Sequence, residues 1–177
     1  MKIITISGKA QHGKDTVGAL LCDTLRSKGY NVLVTHYADL LKYIAMKFFD
    51  WNGIKDEQGR SILQYVGTEI VRTKEPDYWV NFILSILRLF PDEWDYVLIP
   101  DTRFPNEIEK LKSNYDTISV KVVRPDFDNG LTVDQQKHAS EVALDDYVFD
   151  YTLINNGDES INTEIQKLLN KINGIQS

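Results

Sequence analysis

What most restricts the fold of this chain is a loop bounded by two glycines, Gly8-Lys-Ala-Gln-His-Gly13-Lys14-Asp15-Thr16, set between a β-branched run and a helical repeat. Before it, Lys2-Ile-Ile-Thr-Ile-Ser7 reads as a strand, and after it Val17, Leu20, Leu21 and Leu25 recur at helical spacing. A G-x-x-x-x-G-K sequence at a strand-to-helix junction wraps successive backbone N–H groups around phosphate oxygens and adds the positive end of the helix. Gly8, Lys9, Gly13, Lys14, Asp15 and Thr16 are therefore expected to hold the phosphates of a nucleoside triphosphate, with Lys14 on the β- and γ-phosphates. One position departs from the pattern. Asp15 stands where a Ser or Thr hydroxyl usually ligates Mg²⁺, so a carboxylate would hold the metal directly or through water while lying close to phosphate charge. Thr16 is placed to donate toward the α-phosphate.

Gly29 ends the first helical pattern and Asn31 to His36 reads as a second strand, a β-α-β unit that implies a parallel sheet. Further β-rich runs stand at Tyr96 to Ile99, Thr117 to Val123 and Tyr151 to Ile154. From Ala38 to Arg88 the pattern is helical, with Ile62, Leu63, Val66, Ile70 and Val71 on one face. Helices are also expected over Asn106 to Leu111, Thr132 to Leu144 and Glu159 to Ile172, the second opened by a Thr132-x-x-Gln135 capping box. The expectation is five strands alternating with helices in a single domain over residues 1–177, with no linker or repeat to divide it. The polar stretch from Leu131 to Leu144 is the expected mobile flap.

Charge and composition exclude several classes. Twenty Lys and Arg against 26 Asp and Glu give a net charge of -6, the opposite of what a nucleic-acid polymer attracts. Cys22 is the only cysteine, so neither a disulfide framework nor a zinc cluster is available, which points to a reducing cytosol and a cytoplasmic protein. No stretch approaches 18 apolar residues and the first seven are too short for a signal-peptide core, so the chain is expected to be soluble, untargeted and without a membrane partner. His12, His36 and His138 have no second ligand at helical spacing and make no metal site. A homodimer is left open.

A phosphate loop alone does not choose between a GTPase, an ATPase and a kinase. No Asn-Lys-x-Asp guanine motif is present, the nearest stretch being Asn155-Asn-Gly-Asp158. Asp101 follows Tyr96-Val-Leu-Ile-Pro100 at a strand end, where ligands of open α/β sheets gather, and is placed to orient Mg²⁺ water while Arg103 grips a phosphate. The same residues also read as a turn closed by a surface ion pair.

On Gly8–Thr16, Ala38-Asp39-Leu-Leu-Lys42, Gly59-Arg60, Leu63-Gln64, Gly67-Thr68-Glu69 with Arg72 and Trp79, and Asp101-Thr-Arg-Phe-Pro-Asn-Glu107, the chain resembles the deoxynucleoside monophosphate kinases of bacteriophages and related bacterial proteins. Val123-Arg124-Pro125, His138-Ala-Ser-Glu141 and Asp150-Tyr-Thr-Leu-Ile-Asn155-Asn156 extend the resemblance over most of its length. It implies an α/β, three-layer P-loop NTPase fold: a five-stranded parallel sheet with helices on both faces, a helical acceptor-binding region over about residues 38–90 and a flap over about 124–145. The implied reaction moves the γ-phosphoryl of ATP, with Mg²⁺, onto the 5′-phosphate of a deoxynucleoside monophosphate. An acceptor oxygen already ionised at neutral pH needs no general base, so aligning and neutralising two anions is the whole task.

The resemblance assigns catalysis to Lys14, Arg72, Arg103 and Arg124, and the acceptor to Asp39, Lys42, Arg60, Arg72, Trp79, Asp101, Arg103 and Glu141. Asn155 is assigned to the adenine, and Asp15 and Asp101 to the metal. Arg124 is either a flap arginine on the transferring phosphate or a stacking partner of adenine. Plainer readings compete: an exposed i,i+3 pair for Asp39 and Lys42, a helix-end cation for Arg72, a solvated Arg60, a core Trp79, a solvated face for Glu141 and a turn at Asn155. Because animal-type phosphomevalonate kinases share the Asp after the loop lysine, a kinase of another small phosphorylated acceptor is the rival enzyme. A non-catalytic nucleotide-binding regulatory protein is the rival from another class.

Overall fold

The computed structural model describes residues 1–54 and 56–174. Its strands are β1 (Lys2–Ser7), β2 (Val32–Val34), β3 (Tyr96–Ile99), β4 (Asp116–Val123) and β5 (Tyr151–Ile154). All pair in parallel, in the order β2-β3-β1-β4-β5. The helices are α1 (Lys14–Ser27), α2 (Tyr37–Phe48), α3 (Glu57–Gln64), α4 (Tyr78–Leu89), α5 (Pro105–Lys112), α6 (Val133–Lys137), α7 (Ala139–Val142) and α8 (Ser160–Ile172).

Side chains alternate across each strand, and the two faces of the sheet build two cores. On one face, Ile4, Ile6, Leu98, Val120 and Leu153 meet Val17, Leu21 and Leu25 of α1 and Ile165, Leu168 and Leu169 of α8. On the other, Ile3, Val97 and Ile99 meet Tyr37 of α2, Trp79, Ile83 and Leu87 of α4 and Leu111 of α5. The five-stranded parallel α/β sheet read from the sequence is the sheet observed. The chain steps from β1 outward to β2, returns to β3, and then crosses to β4 on the other side of β1. That reversal opens a crevice at the carboxyl ends of β1 and β3.

Three local readings change. β2 stops at Val34 because His36 leaves the sheet to cap α2, its backbone N–H donating to the Asp39 carboxylate at 3.2 Å. The single helix expected over Thr132 to Leu144 is α6 and α7, broken at His138, which is extended (φ -60°, ψ 142°) and accepts the Ser140 N–H on Nδ1 at 3.2 Å. The helix carrying Val66, Ile70 and Val71 widens into π-helical turns over Tyr65–Arg72. There the Gly67 carbonyl accepts the Trp79 indole N–H at 3.1 Å, and a Cβ on Gly67 would lie 2.8 Å from Leu41. Such widened turns occur mostly where a helix serves a site. Among the described residues no helix is long and apolar enough to cross a membrane.

Candidate active site

The loop after β1 is shaped by backbone that only glycine tolerates. Gly13 has φ +91° at the start of α1, and a Cβ there would lie 2.4 Å from the Asn155 amide nitrogen; a Cβ on Gly8 would lie 2.4 Å from the Val122 carbonyl oxygen. Asn155 is buried beneath the loop, its side chain donating to the His12 carbonyl at 2.9 Å and accepting from the Gly157 N–H at 3.0 Å. Lys14 folds back onto the Gly8 and Lys9 carbonyls at 2.9 and 2.8 Å. Burial, and then the charge of Arg103, lower its pKa to about 8 against the pull of Glu141, Asp15 and Asp101. Asp15 and Thr16 are exposed on the first turn of α1.

Asp101, at the end of β3, accepts the Tyr37 and Ala38 N–H groups at 3.1 and 2.9 Å and so holds the N-terminus of α2 against the sheet. Burial raises its pKa against those two hydrogen bonds and the nearby His36 and Arg103. On α2, Asp39 pairs with Lys42 at 3.2 Å and with the His36 ring at 3.3 Å, while the other nitrogen of His36 lies 3.9 Å from Asp15.

Two arginines meet around one buried carboxylate. Glu107, only 1% exposed, pairs with the Arg72 guanidinium and accepts the Arg103 and Phe104 N–H groups at 2.7 and 3.0 Å. Arg72 also lies 3.8 Å over the Phe104 ring. Burial raises the pKa of Glu107, opposed by Arg72. Arg103 reaches from the same turn to α7, donating to the Ser140 carbonyl at 3.2 Å and pairing with Glu141. The other oxygen of Glu141 accepts the loop N–H of Ala10 at 3.1 Å, and Lys9 donates to the Glu141 carbonyl at 2.7 Å and pairs with Asp145. α7 thus lays a carboxylate on the loop after β1.

These groups enclose a cavity of about 470 Å³. Lys14, Asp15, Asp101, Arg60, Arg72 and Arg103 line it, and so do Asp39's partner Lys42, the largely buried Trp79, and Glu141. Arg124 and Asn155 stand outside that wall. Arg124 stacks 4.0 Å over Phe127 beside Gly157, and its backbone N–H donates to His12 at 3.2 Å. Burial and Lys14 lower the His12 pKa, which suits a ring nitrogen that accepts. Tyr37 and Glu107 also line the wall, although the sequence assigns neither a role and Glu107 enters there only as the end of the Asp101–Glu107 stretch. Phe104 has no side-chain acceptor, so no Ser/Thr-x-x-Glu capping box marks Glu107 in the sequence, and nothing local marks Tyr37.

A family model for deoxynucleotide monophosphate kinase matches residues 36–171. The chain is 36% identical over 77 residues to the deoxynucleotide monophosphate kinase of Enterobacteria phage T4, covering 42% of this chain and 32% of that protein. It is 29% identical over 137 residues to the one from Escherichia phage RB69, covering 75% of this chain and 53% of that protein. The chain therefore spans about half or less of the phage proteins it matches. In solved structures the fold is similar to the APS kinase of Mycobacterium tuberculosis, in complex with AMPPNP and APS (TM-score 0.58, 16% identity, 97% of both chains). It is also similar to shikimate kinase from Acinetobacter baumannii in complex with shikimate (TM-score 0.54, 20% identity, 98% of this chain and 93% of that one).

Proposed function

The chain belongs to the deoxynucleotide monophosphate kinase family, and on that premise we propose that it transfers the γ-phosphoryl of ATP to the 5′-phosphate of a deoxynucleoside monophosphate. The observation that carries this reading is the convergence of Lys14 with Arg72 and Arg103 on one cavity: cations supplied by the phosphate loop, by the helical region and by the strand-end turn face a common space. An attacking acceptor oxygen forms a bond to the γ-phosphorus as the bond to the β–γ bridging oxygen breaks, leaving ADP and a diphosphate. Lys14 follows the charge on the β- and γ-oxygens. Arg72, held flat by Glu107 and Phe104, takes the acceptor phosphate, and Arg103 lies between the two anions.

Glu141 takes up the Ala10 N–H and Arg103, contacts that suit an anion. Donor phosphates would displace it and move the flap, residues 124–145, which frees Arg103 for the transferring group. Arg124 with Phe127 and Gly157 offers a flat platform for the adenine, and Asn155 supports the loop from below.

The residues fit Mg²⁺ in the form that nucleotide enzymes use, with one or two carboxylates and the remaining ligands from phosphate and water. Asp15 offers an exposed carboxylate beside Lys14, whereas Asp101 retains only the lone pairs not committed to Tyr37 and Ala38. When bound, the ion would neutralise charge on the β- and γ-oxygens. Among the described residues no cluster of three or more His, Cys, Asp or Glu stands together.

The test is Mg-ATP with a panel of deoxynucleoside and nucleoside monophosphates, and phosphomevalonate as the rival acceptor, following ADP and the phosphorylated product. Turnover with a deoxynucleoside monophosphate supports the reading. ATP binding without transfer to any acceptor overturns it.

A further inference from the structure

Tyr37 opens α2 with its ring packed in the core beside Trp79, Ile83, Val97 and Ile99, and it forms part of the cavity wall. Its hydroxyl is buried and has no hydrogen-bond partner among the described residues. Glu107 and Asp101 lie close enough to add to the effect of burial in raising its pKa well above 10, and Arg72 opposes them. Neither carboxylate satisfies the phenol. Glu107 is committed to Arg72 and to the Arg103 and Phe104 N–H groups, and Asp101 to the Tyr37 and Ala38 N–H groups. A buried donor left without an acceptor disfavours the folded state, and on a cavity wall an acceptor brought by a ligand relieves that cost. The cavity it borders already presents the guanidinium of Arg72, which favours an anion.

We propose that the Tyr37 hydroxyl, which has no partner among the described residues, is an acceptor-site donor that hydrogen-bonds a phosphate oxygen of the deoxynucleoside monophosphate beside Arg72. This rests on the kinase reading given above. It adds a neutral donor to a site whose principal cation is already paired with Glu107, and it gives the acceptor an oxygen contact from α2, the helix that Asp101 clamps to the sheet. A phenol hydroxyl is an uncharged donor, so it adds a hydrogen bond without repelling the anion.

Tyr37→Phe removes the hydroxyl and keeps the ring in the core. The expected result is an unchanged or raised thermal midpoint together with a roughly tenfold rise in acceptor KM and unchanged ATP affinity. Direct titration of the empty protein with a deoxynucleoside monophosphate and with the matching deoxynucleoside locates the contact: only the phosphorylated ligand should lose affinity in the variant. A lowered midpoint with unchanged acceptor KM would show the hydroxyl to be structural and overturn the proposal. Equal losses for both ligands would place the contact on sugar or base and overturn it as well. A wild-type protein that phosphorylates no monophosphate removes the kinase reading instead, an outcome distinct from either.

Discussion

The two sides of the cavity are built differently. On the proposed donor side the shape is made by backbone: Gly8 and Gly13 press against Val122 and Asn155 with no room for a Cβ, and the chain path sets the directions of the loop N–H groups proposed to meet phosphate. On the acceptor side it is made by side chains drawn from distant elements. Arg72 comes from the π-helical turns, Glu107 and Phe104 from the start of α5, and Tyr37 from α2, and they are held by a buried ion pair and a stacked ring. A backbone cradle tolerates change in its side chains but not in its glycines. A side-chain wall fails one ligand at a time.

That contrast is open to attack by substitution. Lys14→Ala should have the largest effect, lowering kcat by roughly a thousandfold or more in a folded protein, because it removes the cation beside the β- and γ-oxygens as the bond from the γ-phosphorus to the bridging oxygen breaks; steady-state rates with circular dichroism of the variant check this. Arg72→Ala should come next, lowering kcat/KM for the acceptor by roughly 30- to 1000-fold, since losing one partner of a charge-assisted contact costs on the order of 2–4 kcal/mol. Gly13→Ala should weaken ATP binding by about 10- to 100-fold, as the new Cβ meets both an unfavourable φ of +91° and the Asn155 amide; calorimetric titration with ATP measures it.

The smallest effect is a pH dependence. Lys14 titrates near 8 when folded and near 10.5 when unfolded, so below pH 8 the folded state carries the whole burden of a buried charge. The unfolded chain holds more protons between these values, and the contribution of Lys14 to stability therefore rises with pH over that window. ATP affinity moves the other way. Phosphates select the ammonium form, so affinity should fall about tenfold per pH unit above 8, and the slope should vanish in Lys14→Ala. Thermal midpoints and ATP titrations across pH 7 to 9.5 read both signs.

The same contrast governs how much of the molecule could be read from its sequence. The sheet, the first helix and the loop were legible because a β-branched run, a glycine pair and a 3.6-residue repeat lie within 25 consecutive residues. Arg72 and Glu141 rest on resemblance and Arg103 on its place just after a strand end, and the surroundings of all three are invisible in the sequence. The Arg72 contact to Glu107 spans 35 residues and that of Arg103 to Glu141 spans 38, and no local pattern encodes either. Asp101 was read as a strand-end carboxylate for metal, and its clamp on α2 appeared only when the fold brought Tyr37 and Ala38 to it. The break at His138 was hidden for another reason. A capping box announces where α6 starts, but nothing in a run of polar residues announces that the helix stops after five.

The separation of the two sides is tested most directly by measuring ATP affinity and acceptor KM side by side in Gly13→Ala and Arg72→Ala. The account expects Gly13→Ala to lose ATP affinity with little change in acceptor KM at saturating ATP, and Arg72→Ala to lose the acceptor with ATP affinity unchanged. Comparable losses of both substrates in both variants would contradict it, because the cavity would then be one cooperative site rather than a backbone cradle facing a side-chain wall.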